Sequence, residues 1–225
     1  LVGDSAGGSL HTVFAKQLVG ADGAGSVVRS QCFGPLKTRR YVAIQQWFLA
    51  KDVATRPFYS CIFDPETTDC CAWTIHKDEY LIYGGAFAPK SCRAQFERQK
   101  EKLRQYGFPF GEPVKTEACL VLRPKSPKSF CCGGDGVFLI GEAAGFISPS
   151  SLEGISSAIN SAVALCESLG EPDPHRAYFQ KTRSLRWKLL LKNIKCLGMY
   201  QPFFRSLVMA SGITSIRLFG EGKAR

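Results

Sequence analysis

One carboxylate, Glu142, lies within a turn of small residues that follows a short apolar segment. A strand is predicted from Val137 to Ile140, the turn reads Gly-Glu-Ala-Ala-Gly, and a helix of small residues is predicted to start near Leu152. A carboxylate can accept hydrogen bonds from a sugar hydroxyl, and glycine lets a ligand approach the backbone closely. The N–H groups and positive dipole end of the following helix favour negative charge. The segment is therefore typical of a site for a ligand with a sugar hydroxyl and a diphosphate.

A second segment repeats the order of strand, acid and helix. A strand is predicted over residues 10–20 and leads to Ala21-Asp22-Gly23, and a short helix with Ser26 and Arg29 is predicted over residues 24–32. Asp22 has two interpretations: it accepts hydrogen bonds from the backbone of the following helix, as in an Asx turn, or it lies beside a bound ligand.

These two segments resemble the FAD-dependent oxidoreductases of the para-hydroxybenzoate hydroxylase type, and most of all the geranylgeranyl reductase family. That family carries a G-A-D-G-x-x-S-x-V-R element, which residues 20–29 match. It also carries a G-D-A-A-G-F-x-x-P-x-x-x-E-G-I element, which residues 141–155 match with Glu142 in place of Asp. The resemblance implies an FAD cofactor, held at Asp22, Gly23, Ser26, Arg29, Gly141, Glu142, Ala143, Ala144, Gly145, Pro149, Glu153, Gly154 and Ile155. Glu153 has a second interpretation, since an acid near a helix start also stabilises the helix dipole.

A third stretch resembles the substrate-cavity motif Y-x-W-x-F-P of the same family. This chain has Cys71, Trp73, Ile75 and His76 at the four specified positions, so only the tryptophan is retained, and Gly84-Gly85 follows downstream. The resemblance implies that Cys71, Trp73, Ile75, Gly84 and Gly85 contact substrate. His76 is a weaker candidate for proton delivery, because imidazole titrates near neutral pH. Its alternative is a surface position before the Lys77-Asp78 turn, and Trp73 has the alternative of a core residue.

The predicted fold is α/β, of the mixed α+β kind. We expect a partial FAD-binding, Rossmann-like domain at 1–34 and 123–170, an inserted, mostly antiparallel substrate sheet at 35–122, and a basic helical tail at 171–225. Strands are predicted at 41–50, 58–64, 70–76, 80–87 and 113–122. A basic helix is predicted from Ser91, as its cap, to Tyr106.

The Gly-x-Gly-x-x-Gly turn that grips the ADP half of a dinucleotide is not found in the sequence. Gly3 to Gly8 has the wrong spacing and is predicted to be a hairpin turn. We interpret the chain as the C-terminal portion of a flavoprotein. Two alternatives stay open: a non-catalytic remnant, or a fragment that needs a partner, either its missing N-terminal half or a second copy in a homodimer.

Charge and cysteine content limit the remaining function classes. The chain has 225 residues, a net charge of +10 and ten cysteines, but three histidines and no Cys-x-x-Cys, so no metal site is expected. A reduced, cytoplasmic protein is expected, with a redox-active thiol near the flavin as the alternative. Residues 171–225 contain eleven Lys or Arg and three acids. They form either a solvated basic face or one that contacts an anionic membrane surface or acidic partner. No nucleic-acid recognition motif accompanies the charge.

The resemblance implies that a reduced donor, NAD(P)H or a ferredoxin-like carrier, supplies electrons through the flavin N5 to a small hydrophobic, isoprenoid-type substrate. A flavin-dependent monooxygenase or halogenase on the same scaffold is the alternative enzyme.

Overall fold

The computed structural model describes residues 2–3, 10–50 and 59–211. The strands are β1 Val2–Gly3, β2 Leu10–His11, β3 Leu18–Gly20, β4 Arg39–Leu49, β5 Ser60–Ile62, β6 Ala72–Lys77, β7 Tyr80–Phe87, β8 Lys115–Arg123, β9 Gly133–Gly134 and β10 Val137–Leu139. The helices are α1 Val27–Cys32, α2 Cys92–Gln105, α3 Ile155–Cys166, α4 Pro174–Lys181, α5 Arg183–Tyr200 and α6 Pro202–Ala210. The predicted mixed α/β class is confirmed.

The larger sheet has five strands in the order β5-β6-β7-β4-β8, and every neighbouring pair is antiparallel. Because side chains alternate along a strand, one face presents a row of aromatic and aliphatic residues to α2. Phe48, Tyr83 and Phe87 of this face pack with Phe96 of α2, and Tyr83 stacks on Phe96 at 4.8 Å between ring centroids. This core therefore covers one face of the sheet, and the other face packs against the rest of the chain.

The smaller sheet is the part of the fold that carries both acid-containing turns. β10 pairs in parallel with β3, with Leu139 opposite Gly20, and β9 pairs antiparallel with β10. Since parallel strands end at the same edge, the segments that begin at Asp22 and Glu142 leave the sheet side by side. That edge is where open α/β sheets bind ligands.

The helical tail packs back on the smaller sheet. Tyr178 of α4 is fully buried, and its hydroxyl donates to the Leu139 carbonyl at 2.8 Å. Leu189 of α5 joins the same buried cluster. Other apolar side chains of α5 and α6 are exposed to solvent, among them Leu191, Phe203 and Met209. Among the described residues, no helix is long and apolar enough to cross a membrane.

Several predicted element boundaries were wrong. The helix expected near Leu152 begins at Ile155, because Leu152 has a positive φ of 56° and Gly154 is the N-cap. Ser91 does not cap α2 with its side chain and instead ends a 3-10 turn that starts at Pro89. The strand expected over 10–20 is divided into β2 and β3. Of the hairpin turn expected at Gly3 to Gly8, residues 4–8 lie outside the described residues, as does Phe58; β1 and β2 pair antiparallel.

Candidate flavin-side site

Asp22 stabilises the start of α1. Its carboxylate accepts hydrogen bonds from the Ser26 hydroxyl at 2.5 Å and from the N–H groups of Val27 and Val28 at 2.7 and 3.2 Å. Partial burial raises the pKa of Asp22, but these hydrogen bonds outweigh it and hold the pKa below its ordinary value. This geometry agrees with the Asx-type interpretation, because all of these hydrogen bonds come from residues at the start of α1.

Arg29 joins the two acid-containing segments. Its side chain is almost fully buried, and the guanidinium donates to the carbonyls of Ala24 and Ala143, both at 2.7 Å. Ser26 supports the arrangement, since its hydroxyl accepts from the Arg29 N–H at 3.0 Å. The loop after β3 and the turn after β10 are therefore held together by one cation, which stays protonated despite burial.

Glu142 is half-buried and has one oxygen committed to the protein. Its Oε1 accepts from the Leu122 N–H of β8 at 2.7 Å, and no described residue donates to Oε2. Burial raises the pKa of Glu142, against the opposing effects of the Leu122 hydrogen bond and the Arg29 charge. The free oxygen is the acceptor that a ligand hydroxyl at this edge would use.

The small residues on either side of Glu142 are buried and determine the backbone shape of the turn. Gly141 to Ala144 is a 3-10 turn that ends at Gly145, whose φ is 85°, and a Cβ there would lie 2.2 Å from the Ser129 carbonyl. Ala143 and Ala144 are fully buried. The carbonyl of Pro149 is taken by the Arg123 Nε at 3.0 Å. These positions shape the backbone around Glu142, and their contact with a ligand stays a prediction.

The start of α3 is open to solvent. Gly154 caps it without a side-chain hydrogen bond, and Ile155 is 76% exposed. Glu153 lies just before the cap, and its carboxylate accepts from the Ser156 N–H at 2.8 Å. That hydrogen bond is the main reason that the pKa of Glu153 is lowered. The remaining N–H groups of the first turn keep the dipole and donors that favour an anion.

The predicted substrate residues divide between the two faces of the larger sheet. Trp73 and Ile75 are opposite Gly84 and Ile82 on one face, and Cys71 is buried at the start of the same stretch. A Cβ on Gly84 would lie 2.6 Å from the Trp73 indole, so the glycine makes room for that ring. Gly85 lies against Phe87 and Ala72 on the α2 face, and His76 is opposite Leu81 on that same face. The geometry therefore separates Gly85 and His76 from Trp73.

The Trp73 face is the one that meets the acid-containing segments. Ala24 and Ile147, which follow the two acids, share a buried cluster with Cys71, Ala86 and Val121 of the sheet. Three features therefore adjoin one edge of the parallel strands: the Oε2 of Glu142, the exposed start of α3 and the Trp73 face of the larger sheet. They fit a ligand with sugar hydroxyls and a diphosphate.

Arg123 is a structural residue of the site that the sequence did not reveal. It is 5% exposed and donates to the Pro149 carbonyl, to the Asp69 carbonyl at 2.8 Å and to the Tyr41 hydroxyl at 3.3 Å. Its guanidinium also lies 4.8 Å from the centroid of the Tyr200 ring. It thereby connects β8, the loop after the Glu142 turn and the end of α5. An arginine at a strand end carries no sequence signal for so many long-range contacts.

Solved structures that share this fold include a reductase-like protein, a halogenase and a probable FAD-dependent monooxygenase. A geranylgeranyl bacteriochlorophyll reductase-like protein from Thermoplasma acidophilum matches with a TM-score of 0.57 and 19% identity, over 87% of this chain and 51% of the other. A tryptophan 6-halogenase from Streptomyces toxytricini matches with a TM-score of 0.60 and 16% identity, over 94% and 42%. A probable FAD-dependent monooxygenase from Pseudomonas aeruginosa matches with a TM-score of 0.58 and 13% identity, over 87% and 59%. The chain has the fold of FAD-dependent flavoproteins.

At the sequence level, the chain is similar to proteins named CbrA. It is 49% identical over 206 residues to the CbrA of Escherichia coli O9:H4 strain HS, which covers 91% of this chain and 56% of that protein. The CbrA of Shigella sonnei strain Ss046 is 48% identical, with 91% and 58% covered. The chain thus spans a little more than half the length of these relatives. No protein-family model matches it.

Proposed function

We propose that the chain forms the flavin-side and substrate-side portion of an FAD-dependent oxidoreductase that reduces a hydrophobic, isoprenoid-type substrate. One observation carries this proposal: the parallel β3–β10 pair brings Asp22 and Glu142 to one edge, beside the Trp73 face of the antiparallel sheet. The fold shared with flavin enzymes supports the cofactor class.

Each part of the site has a physical role in this proposal. When bound, FAD supplies hydride transfer, and NAD(P)H or a ferredoxin-like carrier replenishes its electrons. The free Oε2 of Glu142 accepts a hydrogen bond from a ribityl or ribose hydroxyl. The N–H groups at the start of α3 stabilise negative charge on the ligand. Arg29 keeps the two segments at a fixed separation.

The Trp73 face suits an apolar substrate. Trp73 and Ile75 are partly exposed and provide aromatic and aliphatic surface, and Gly84 leaves the indole free to lie flat across the neighbouring strand. Burying apolar substrate surface here excludes water from the reaction.

An oxygenase or halogenase is the second candidate, because the shared fold also includes a halogenase and a probable monooxygenase. A reductase is distinguished from an oxygen-using enzyme by reducing the flavin anaerobically and then adding either substrate or oxygen in separate experiments. A reductase reoxidises with substrate alone. The oxygen-using enzymes need oxygen for turnover.

Retention of FAD tests the proposal. The purified protein is mixed with FAD and desalted, and the visible absorbance of flavin is compared with that of Glu142→Ala and of Glu167→Ala. Glu167 is an exposed acid that pairs with Lys181 and serves as the matched control. We expect Glu142→Ala to lose flavin and the control to retain it. A wild type that elutes without flavin, or equal retention by both variants, would argue against the site.

We also propose that α5 and α6 contact an anionic membrane surface. Residues 183–211 contain six Lys or Arg and no acid. Their exposed apolar side chains include Leu191, Ile194, Leu197, Phe203, Phe204 and Met209. Such a combination of apolar surface and positive charge binds anionic lipid. Sedimentation with vesicles that contain phosphatidylglycerol, but not with pure phosphatidylcholine vesicles, is the expected result, and Phe203→Ser with Met209→Ser should reduce it. Equal sedimentation with both vesicles, or none with either, would contradict this proposal.

A further inference from the structure

A pocket of about 540 Å³ lies against the helical tail. It is bounded by α4, α5 and the segment before β9. Its walls combine three arginines with apolar groups, and its main lining residues are Phe130, Arg176, Phe179, Arg183, Arg186 and Trp187. It shares no residue with the predicted FAD contacts.

Among the described residues that line this pocket, none is acidic. Neither α4 nor α5 contains an acid. Arg176, Arg183 and Arg186 take part in none of the ion pairs formed among the described residues. The three arginines bring positive charge to one pocket, and a bound dianion would offset that charge.

The Arg186 side chain is positioned by its contacts with Phe179. Its guanidinium carbon lies 3.6 Å from the centroid of the Phe179 ring, and Nη2 donates to the Phe179 carbonyl at 2.5 Å. Its Nε is buried and has no hydrogen-bond partner among the described residues. The side chain is therefore ordered before any ligand arrives, with donor capacity left over.

The apolar wall indicates what else the ligand carries. Phe179 and Trp187 are 49% and 56% exposed, which is high for aromatic side chains that line a concave surface. An aromatic or aliphatic body packed on these rings would remove their surface from water while its anionic end reaches the arginines.

We propose that this pocket binds an organic phosphate with an apolar or aromatic body. Guanidinium groups match the geometry of phosphate oxygens with paired hydrogen bonds, and three of them suit a dianionic phosphomonoester. This chemistry is shared by a phospholipid headgroup and a soluble nucleotide. The inference does not depend on the proposed flavin function, because the two sets of residues are separate.

Fluorescence titration identifies the ligand source. The protein has three tryptophans, and only Trp187 lies in this pocket. The probes are dihexanoyl phosphatidic acid below its micelle concentration, AMP, and inorganic phosphate as the headgroup alone. We expect saturable quenching with one of the first two, and Trp187→Phe should remove most of the signal. Phosphatidic acid binding identifies a lipid headgroup, and AMP binding a nucleotide.

A pair of variants separates a built site from general attraction to positive charge. Arg183→Gln removes one guanidinium from the pocket, whereas Lys188→Gln removes one exposed charge from the same helix outside it. We expect Arg183→Gln to weaken binding about tenfold, as loss of a charged hydrogen-bonding pair does, and Lys188→Gln to change it less than about twofold. Affinity should also rise with pH through about 6, where the phosphate becomes a dianion.

Circular dichroism and FAD retention of the same variants show that the fold and the flavin site are intact. Equal weakening by Arg183→Gln and Lys188→Gln, saturation by none of the three probes, or binding of inorganic phosphate as tight as that of both organic probes would overturn the proposal. A wild type that binds an organic phosphate in this pocket but retains no FAD would count against the flavin function alone.

Discussion

The guanidinium of Arg29 donates to the carbonyl of Ala143 at 2.7 Å, across 114 residues of sequence. The same side chain donates to Ala24. One buried cation therefore determines how the turn after β10 lies against the helix after β3. Both carbonyls would otherwise be buried without a partner, which is costly in a protein interior.

Arg29→Lys should destabilise the protein by about 2 kcal/mol, because an ammonium group cannot span both carbonyls as the planar guanidinium does. Urea unfolding followed by circular dichroism measures the change. Arg40→Lys, an exposed arginine on β4, is the matched control and should remain within about 0.5 kcal/mol of wild type. A similar small effect at both positions would show that the Arg29 contacts contribute little.

Glu142→Gln should stabilise the unliganded protein at neutral pH and lose that effect in acid. Burial raises the pKa of Glu142, so the folded state binds its proton more tightly than the unfolded state. The charged carboxylate therefore opposes folding increasingly as pH rises from about 4 through the raised pKa, and fully above it. Gln keeps an acceptor for the Leu122 N–H and removes the charge.

The measurement is the free energy of unfolding of wild type and Glu142→Gln in urea across a pH series. The stability difference should grow from acid to neutral pH and then level off. Glu167→Gln, at an exposed acid, should show no such trend. A difference that is constant, or that shrinks as pH rises, would mean that the Leu122 hydrogen bond and Arg29 dominate over burial.

Gly84→Ala should destabilise the sheet by about 1–3 kcal/mol and displace Trp73. The new Cβ would lie 2.6 Å from the indole, and the ring must move or the strands must separate. The expected readouts are a lower thermal midpoint and a changed tryptophan emission. Gly111→Ala is the control, since no atom lies within 4 Å of its Cβ position. Unchanged emission with unchanged stability in Gly84→Ala would exclude the close contact.

Arg123→Leu should destabilise the protein by about 2–4 kcal/mol, because it removes the donor to the Asp69 carbonyl and leaves the Pro149 carbonyl with only the weak Cys196 thiol. Loosening the Pro149 loop should also weaken FAD retention. The control is Arg98→Leu, whose exposed side chain pairs with Glu66 and should contribute little. Full stability of Arg123→Leu would show that the three segments do not depend on this residue.

Local pattern was sufficient for most of the secondary structure. The strand Tyr80–Phe87 has the predicted bounds, and β4 and β6 begin and end within about two residues of expectation, because aromatic and branched residues strongly favour an extended chain. The start of α3 was misplaced because the positive φ of Leu152 is imposed by its surroundings, not by its own preference. The arginine-lined pocket escaped prediction because Phe130 and Arg183 are distant in sequence.

The amino-acid sequence by itself determined the class of fold and the two acid-containing turns, since strand, glycine turn and helix depend on residues close in the chain. Only the tertiary structure decided what those residues contact. Strand pairing placed His76 and Gly85 on the face away from Trp73, and a one-residue difference in position reverses the face. Folding also brought Leu122 to Glu142 and Ala143 to Arg29. Such contacts join distant segments, and the burial that makes them necessary exists only once the chain is packed.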